Sequence, residues 1–535
     1  MKRFTRRLMA LLLAAVFCLT LLPGLALAEE PEGSIAPAED ENQATGYGQC
    51  GENLTWELTE DGVLTISGAG DMDNWAMSQA PWADDCESIF HVIVEEGTTG
   101  IGDHAFSRCD WLVNVELPSS LMRIGNEAFS ECQRLERVTL PEGLKSIGAY
   151  AFSECFYLRN VTIPAKVSMI GNCAFYDCDS LIRIDVAGEN AFFMSKDGVL
   201  FSKDGTELIQ FPAGRSGDYQ VPDGVNRICP YAFYSCSFLH NITLPFSLRY
   251  IDAYAFSSCS GLYDITLPEG LIRISRGAFK WTGIREITFP ASLIEIYDSE
   301  GDVIYDDNGG SIFDGSRTEN IYVSPDNPYY CSVDGVVFSK DKKELVMFPT
   351  GRGGSYAVPE GITSLAMRAF DSTILENLVL PESLTSIGPC AFQFARYLQS
   401  LRFKAGLKET GPYLFGGCGL NEVCFDGSAP AGIENSFQMK SMLIYYPADD
   451  PSWSPELREK CVANDYGGLL SWLPYVLGDI DSDGKLDLLD LVRLRKYLAA
   501  DPVDVIRICS DLNGDGEVST SDLVRLRKLL VGVTD

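Results

Sequence analysis

Two acidic stretches near the C-terminus carry oxygen-bearing side chains at a spacing that could bind metal ions. The first reads DIDSDGKLDLLD and the second DLNGDGEVSTSD, each with Gly at position 6 and an apolar residue at position 8. This spacing is the ligand pattern of a Ca²⁺-binding loop, in which position 7 contributes its main-chain carbonyl. The sequence therefore predicts two calcium ions, the alternative being acidic turns that fit the pattern by chance. The candidate ligands, at positions 1, 3, 5, 7, 9 and 12, are Asp479, Asp481, Asp483, Lys485, Asp487 and Asp490 in the first stretch and Asp511, Asn513, Asp515, Glu517, Ser519 and Asp522 in the second.

Each acidic loop runs into a basic amphipathic helix, LVRLRKYL after the first and LVRLRKLL after the second. Position 12 is Asp where an ordinary EF-hand has Glu, and no helix clearly enters the first loop. A doubled loop–helix unit of this kind, from Gly478 to about Val533, resembles a type I dockerin. The resemblance implies a small all-α calcium-binding domain of paired EF-hand-like loop–helix units. It also implies a partner, the cohesin domain of a scaffoldin, which is the organising protein of a cellulosome.

The dockerin resemblance also implies which residues face the cohesin, namely loop positions 10 and 11 and two basic positions of each helix. A solvated helix face is the other interpretation of the basic positions. At loop positions 10 and 11 the first unit has Leu-Leu and the second has Thr-Ser. Because the two units differ at these positions, we expect one of them to dominate binding. The sequence leaves open which one. The candidate cohesin-binding residues are Leu488, Leu489, Arg495 and Lys496 in the first unit and Thr520, Ser521, Arg527 and Lys528 in the second.

Most of the chain before the loops consists of one sequence motif that repeats about every 23 residues. One copy reads LERVTLPEGLKSIGAYAFSEC from Leu135. Its first half alternates, which predicts a short strand with Val138 and Leu140 inward and Thr139 outward. Its second half predicts a compact turn or short helix with Phe152 in the core. A fixed period of this length is typical of a solenoid, whose units bury their apolar faces only against one another.

The repeated phrase resembles the leucine-rich repeats of BspA-like bacterial surface and secreted proteins, over residues 89–446. The resemblance implies an α/β leucine-rich-repeat solenoid with parallel strands. The period breaks at two inserts, about 187–222 and 324–359, which share the pattern DGV(L/V)FSKD. Each insert predicts a hairpin, which is either a recognition device or an alternative repeat unit.

The remaining segments predict export and capping. Residues 1–28 have the basic start, apolar run and Ala26-Leu27-Ala28 site of a signal peptide, whose removal takes four basic residues and changes the formal charge from −33 to −37. We expect an acidic linker at 29–46, an N-terminal cap hairpin at 47–88, a C-terminal cap and linker at 447–476 and the dockerin at 477–535. The protein is predicted to be secreted, extracellular and bacterial, with no membrane span, and a scaffoldin is its expected route to the cell surface.

The chain has 17 cysteines, many of them in the phrase A/L-F-x-x-C at one place in the repeat. A column of this kind predicts small buried apolar residues more readily than disulfides. Cys50 and Cys86 lie outside the column and could form a pair. The column consists of Cys109, Cys132, Cys155, Cys178, Cys236, Cys259 and Cys418.

No combination of residues predicts catalysis. His91 and His240 lie in repeat strands and His104 just before an Ala-Phe pair, and no nucleophile motif accompanies them. The acidic charge argues against nucleic acid as a partner. Exposed aromatic positions could stack on sugars, anchor a protein or shield repeat edges. We therefore expect a non-catalytic binding module for a polysaccharide, surface or protein ligand. The alternatives are a cellulosomal polysaccharide-degrading enzyme with a site in the inserts, and a free adhesin.

Overall fold

The computed structural model describes residues 44–296, 310–437, 441–464 and 469–532, apart from 482, 484, 504, 506 and 514–516. The predicted signal peptide, most of the predicted linker and the candidate ligand Asp515 lie outside the described residues.

The described residues form strands through the body and four α-helices towards the C-terminus. The first half of the strands comprises β1 (Ala44–Gly51), β2 (Leu54–Thr59), β3 (Val63–Gly68), β4 (Gly70–Asp71), β5 (His91–Val94), β6 (Thr98–Ile101), β7 (Asn114–Glu116), β8 (Arg123–Ile124), β9 (Arg137–Val138), β10 (Ser146–Ile147), β11 (Asn160–Ile163), β12 (Met169–Ile170), β13 (Arg183–Val186), β14 (Phe193–Lys196), β15 (Val199–Ser202), β16 (Glu207–Gln210), β17 (Gly217–Gln220) and β18 (Arg227–Ile228). The second half comprises β19 (Leu239–Thr243), β20 (Tyr250–Ile251), β21 (Arg273–Ile274), β22 (Glu286–Phe289), β23 (Glu295–Ile296), β24 (Asn320–Val323), β25 (Tyr330–Val333), β26 (Val336–Ser339), β27 (Glu344–Met347), β28 (Gly354–Ala357), β29 (Ser364–Leu365), β30 (Leu375–Val379), β31 (Ser386–Ile387), β32 (Ser400–Phe403), β33 (Glu409–Thr410), β34 (Glu422–Phe425), β35 (Met442–Pro447) and β36 (Leu470–Tyr475). The α-helices are α1 (Pro455–Ala463), α2 (Leu488–Leu498), α3 (Arg507–Ser510) and α4 (Thr520–Leu530), and short 3₁₀ helices span Ala83–Ser88 and Ile433–Asn435.

Successive repeats pair through two parallel ladders. One ladder joins the alternating strands, as in the β5–β7–β9 series, and the other joins short strands of two to four residues, as in the β6–β8–β10–β12 series. Val138 and Leu140 are buried while Thr139 is exposed, as the alternation predicts. The predicted parallel-strand solenoid is therefore confirmed.

The second half of each repeat is a turn, since no α-helix occurs within the described repeats. His104, Glu127 and Tyr150 hold the same place in successive turns with φ values of 54°, 51° and 54°, a left-handed conformation that interrupts a right-handed helix. The turn's backbone bonds run between repeats instead. For example, the Phe129 N–H donates to the Ala151 carbonyl at 2.8 Å.

The repeat phenylalanines form three buried stacks, which the two inserts separate. The ring centroids of Phe106 and Phe129 are 5.1 Å apart, those of Phe129 and Phe152 5.3 Å, and those of Phe152 and Phe175 5.7 Å, all in stacked orientation. A second stack runs from Phe211 through Phe313, and a third from Phe348 through Phe437. These side chains dominate the core of the solenoid.

All cysteines of the column are buried. All but one of them are free thiols, as predicted. Cys132, Cys155 and Cys178 are fully buried thiols, and the Cys132 Sγ donates to the Phe106 carbonyl at 3.1 Å. Cys109, however, forms a disulfide with Cys86. The suggested pair of Cys50 with Cys86 is therefore wrong. Cys50 is instead a buried thiol, and burial raises its pKa to about 12.

Each insert is a three-stranded antiparallel element that joins the repeats on its C-terminal side. Strands β14, β15 and β16 pair antiparallel in order, and β16 then pairs parallel with β18. Strands β25, β26, β27 and β29 repeat this arrangement. The inserts thus act as alternative repeat units within the solenoid.

Antiparallel and aromatic elements close the ends of the solenoid. At the N-terminal end, β1 to β3 pair antiparallel and β3 pairs parallel with β5, while Trp82 stacks on Phe106 with centroids 5.5 Å apart. At the other end, β36 is the last strand of a sheet ordered β32–β34–β35–β36. Within the described part of the chain, every helix is too short or too polar to cross a membrane.

Candidate metal centre and its exposed helices

The first acidic loop lies directly after the last strand of the solenoid, and the second follows helices α2 and α3. Only two residues separate the end of β36 at Tyr475 from Gly478. Gly478 has a φ of 88°, and a Cβ there would approach Leu486 Cδ1 to 2.7 Å and Leu526 Cδ1 to 3.0 Å. Glycine therefore permits both the turn and the close approach of the two loop–helix units.

Helices α2 and α4 pack together over a small apolar core. The buried residues of this core are Ile480, Leu494, Leu512 and Leu526, one from each loop and one from each helix. Both helices begin with a capping box, at Asp487 with Asp490 and at Ser519 with Asp522. The two units thus share one fold, as the repeated sequence predicts.

The first loop gathers three carboxylates of the predicted ligand set. Oxygen atoms of Asp479, Asp481 and Asp483 all lie within 4.8 Å of one another. Partial desolvation, followed by the nearby carboxylates of Asp483 and Asp490, raises the pKa of Asp481. A set of hard oxygen donors fits Ca²⁺, whose charge would relieve the repulsion among these groups. Lys485 and Asp487 follow on the same loop.

The Asp residues at position 12 close each loop onto its helix. Asp490 is 1% exposed and accepts from the Ile480 N–H at 2.6 Å and the Asp487 N–H at 2.8 Å. Asp522 is fully buried and accepts from Leu512 at 2.8 Å and Ser519 at 2.8 Å. The position-12 side chains therefore join the start of each loop to the first turn of the helix.

The second loop presents donors of the same kind among its described residues. Asp511 is 8% exposed, and the Asn513 side-chain amide donates to Ser521 Oγ at 2.9 Å. Glu517 is exposed and Ser519 half-buried. Asp515 lies outside the described residues, so its place in this loop stays a prediction.

All eight candidate cohesin-binding residues are exposed and lie within the two helices. Leu488 is 69% and Leu489 60% exposed, although both are large apolar residues. The sequence interpretation missed Val492 and Val524, which are 48% and 55% exposed. Each lies four residues after position 10 of its loop, so the i, i+4 spacing of a helix face could have identified it.

An arginine of the solenoid, largely shielded from solvent, contacts the second loop. The Arg402 Nε atom lies 2.8 and 2.9 Å from the two Asp426 carboxylate oxygens. Its Nη1 donates to the backbone carbonyl of Asp511, and Lys404 Nζ donates to the Asn513 carbonyl at 3.3 Å. The first residue of the second loop is thereby attached to the last repeats.

Two of the three histidines lie beside a glutamate of the neighbouring repeat, rather than standing alone. His91 Nε2 lies 3.2 Å from Glu116 Oε1, and His104 Nδ1 lies 3.4 Å from Glu127 Oε2. Each glutamate belongs to the following repeat. These contacts account for both histidines as links along the solenoid.

Family descriptions match two parts of the chain. The BspA type leucine-rich repeat region matches residues 83–196, 217–300 and 355–445 in six copies, which is more than half of the chain. The dockerin type I domain matches residues 477–531. Among curated proteins, none matches this sequence.

Solved structures of bacterial leucine-rich-repeat proteins are similar to this chain. One from Eubacterium ventriosum is 21% identical with a TM-score of 0.45, over 70% of this chain and 95% of its own. The pneumococcal vaccine antigen PcpA is 19% identical with a TM-score of 0.38, over 80% and 98%. A protein from Bacteroides ovatus is 19% identical with a TM-score of 0.33, over 79% and 98%.

Proposed function

Because the chain belongs to the BspA-type leucine-rich-repeat family and carries a type I dockerin domain, we propose that it is a secreted, non-catalytic binding protein docked onto a scaffoldin. The dockerin implies a cohesin partner. The observation that carries the proposal is the pair of capped helices whose eight cohesin-facing candidates are all exposed beside an acidic, oxygen-lined loop.

Calcium holds this docking surface together in our proposal. The first loop brings three carboxylates within 4.8 Å of one another, an arrangement that a divalent cation stabilises and that repels itself without one. The second loop repeats the donor spacing, so we propose two ions per chain. Native mass spectrometry in calcium counts them directly, and a Asp481→Ala variant should retain one ion fewer.

Both helices contribute to cohesin recognition in this proposal, but unequally. Leu488 and Leu489 offer exposed apolar surface at the start of the first helix, whereas Thr520 and Ser521 offer hydroxyl groups at the start of the second. Exposed apolar side chains gain most from burial in an interface. We therefore expect the first unit to provide the tighter contact with a cohesin that has an apolar binding face.

In this proposal the repeat solenoid is the ligand-binding part of the protein, and the dockerin attaches it to the scaffoldin. Its outward strand positions form a long exposed surface, which solenoids commonly use for binding. The described histidines are engaged in links between repeats or lie singly, which favours binding over catalysis. We propose a polysaccharide, surface or protein ligand for this body.

Capture of a partner from the source organism's secreted and cell-surface fraction tests the docking function. Full-length protein should retain a cohesin-bearing protein in calcium and lose it in EDTA. The variant Asp481→Ala should retain less, while Asp501→Ala, an exposed site outside both loops, should behave as wild type. Capture of a cohesin that is indifferent to EDTA and to Asp481→Ala would contradict the proposal.

A further inference from the structure

The second insert borders a recess on the strand face of the solenoid. The recess has a volume of about 550 Å³ and is lined by Asn320, Tyr322, Ser332, Asp334, Gly335 and Arg352. An adjoining hollow of about 360 Å³ shares Asn320 and Arg352 with it and adds Glu319, Gly351 and Gly353. The two hollows adjoin at Asn320 and Arg352, so a chain-like ligand can place successive units in both.

The recess arises because the insert interrupts the outer strand ladder. Strand β24 pairs with β22 on one side, while β28 pairs only with β30. The hairpin turn occupies part of the space between them, since the Ile321 N–H donates to the Gly335 carbonyl at 2.9 Å and the Val323 N–H to Ser332 Oγ at 3.0 Å. These bonds occupy the N–H groups of the β24 edge, which leaves them unavailable for strand addition by a peptide.

The first insert has the same framework but a different lining. Arg215 Nη1 donates to the Asp197 carbonyl at 2.7 Å, just as Arg352 Nη1 donates to the Asp334 carbonyl at 2.6 Å. In the first insert, an ion pair of 2.6 Å joins Arg183 and Asp185. The equivalent positions of the second insert hold Asn320 and Tyr322, so the same backbone carries a polar amide and an aromatic ring.

The arginine of the recess is held in place by its neighbours. The Arg352 guanidinium carbon lies 5.7 Å from the Phe348 ring centroid and 5.8 Å from that of Tyr356. Two aromatic rings and the Asp334 carbonyl thus fix one hydrogen-bonding group in advance, which lowers the entropy cost of binding.

The lining favours an uncharged ligand rich in hydroxyl groups. Arg352 and Asp334 balance each other in charge within the recess, and Glu319 of the adjoining hollow lies 3.7 Å from Arg285 Nη1. The Asn320 Nδ2 donates to Glu286 Oε1 at 3.1 Å, and an amide has a second N–H and an acceptor oxygen besides. Tyr322 is 42% exposed and offers a flat apolar ring with a polar end. A sugar ring has an apolar C–H face and hydroxyl groups around its edge, which match such a ring beside these polar groups.

We propose that this recess binds a neutral polysaccharide chain, with Tyr322 as the stacking platform and Asn320, Asp334 and Arg352 as hydrogen-bonding groups. The inference rests on the binding role proposed for the repeats and gives that role a site and a ligand class. It does not depend on the dockerin.

Affinity electrophoresis of the full-length protein tests the recess with soluble xyloglucan, arabinoxylan, mixed-linkage β-glucan and mannan as neutral probes and polygalacturonate as the acidic one. At least one neutral probe should retard the wild type. Tyr322→Ala should weaken that binding about tenfold, as loss of an aromatic contact does. Asp185→Ala, the equivalent position of the first insert, is the matched control and should bind as wild type does.

The inference is overturned if no neutral probe retards the protein, if only polygalacturonate does, or if Tyr322→Ala and Asp185→Ala bind alike. Circular dichroism melts of both variants check that each is folded. Calcium-dependent cohesin capture by the same preparations separates the two proposals. Loss of capture alone rejects the docking function, and loss of Tyr322-dependent retardation alone rejects the polysaccharide site.

Discussion

The position-12 carboxylates, Asp490 and Asp522, each accept three backbone N–H bonds besides their expected role as calcium ligands. Asp490 bonds the N–H groups of Ile480, Asp481 and Asp487. Spacing alone predicted Asp490 as a ligand, because an oxygen at position 12 completes the loop pattern. The backbone contacts were not predictable, since they exist only once the loop has closed onto its helix.

Replacement of Asp490 by Ala should loosen the first loop. Hydrogen bonds to a charged group contribute about 1.5–3 kcal/mol each, so we expect the loop to lose at least about 2 kcal/mol of local stability. Hydrogen exchange of residues 477–490, followed by mass spectrometry in calcium, should then be about 30-fold faster. Asp501→Ala is the control, and equal exchange in the two variants would contradict the role assigned to Asp490.

Buried thiols give a second prediction at the scale of single residues. Burial raises the pKa of Cys424 and of Cys509 to about 12, from a reference value of 9.0. The reactive thiolate is therefore scarce at pH 8, and alkylation by iodoacetamide should be more than about 100-fold slower than for an exposed cysteine. Between pH 9 and 12 these two thiols ionise in the unfolded chain but stay protonated in the folded protein. Their contribution to the free energy of unfolding is therefore lost as the pH rises from 9 to 12.

Labelling followed by peptide mass spectrometry measures this reactivity directly. The same protein in guanidinium chloride is the control, since unfolding exposes every thiol. Rapid labelling of Cys424 or Cys509 in the native protein would show that these side chains are not buried as described.

Among the elements, the phenylalanine stack was predictable and the turn beside it was only partly so. A phenylalanine recurs at the position of Phe152 every 23 residues, and periodic apolar residues indicate a core from the sequence alone. Whether the second half of the repeat forms a turn or a short helix depended on its backbone dihedral angles. Glu127 and Tyr150 adopt positive φ without being glycine, so residue type gave no signal. The Cys86–Cys109 disulfide was also unpredictable, because it depends on where the cap packs against the first repeat.

Phe152→Ala should destabilise the solenoid by about 3–5 kcal/mol, the usual cost of removing a fully buried phenylalanine. Tyr157→Ala, in the same repeat but 54% exposed, should change stability by no more than about 0.5 kcal/mol. Guanidinium unfolding followed by circular dichroism compares the two midpoints. Similar midpoints would contradict the assignment of the core to the phenylalanine stack.

At the scale of the whole molecule, the solenoid and the calcium loops are connected. Arg402 bonds Asp426 of the last repeats and also the carbonyl of Asp511, which lies 109 residues after Arg402 in the chain. Tyr475 adds to this network by donating to Asp426 at 2.7 Å. No sequence pattern links residues so far apart, so the contact could not be predicted, although both parts it joins were recognised separately.

This connection should make the last strands of the solenoid sensitive to calcium. In the wild type, EDTA should increase hydrogen exchange in β34 and β36 as well as in the loops. The double variant Arg402→Met with Asp426→Asn leaves no buried charge without a partner and should remove the calcium effect from β34. Calcium protection of β34 that persists in the double variant would contradict the connection.

The most direct test of the central claim is the affinity of the full-length protein for a panel of purified type I cohesins, measured by isothermal titration calorimetry in excess calcium and in EDTA. The account predicts that at least one cohesin binds in calcium and none in EDTA. It also predicts that Leu488→Ala with Leu489→Ala weakens binding more than Thr520→Ala with Ser521→Ala. Binding that is equally tight in EDTA, or the absence of binding to every type I cohesin in calcium, would contradict calcium-dependent docking.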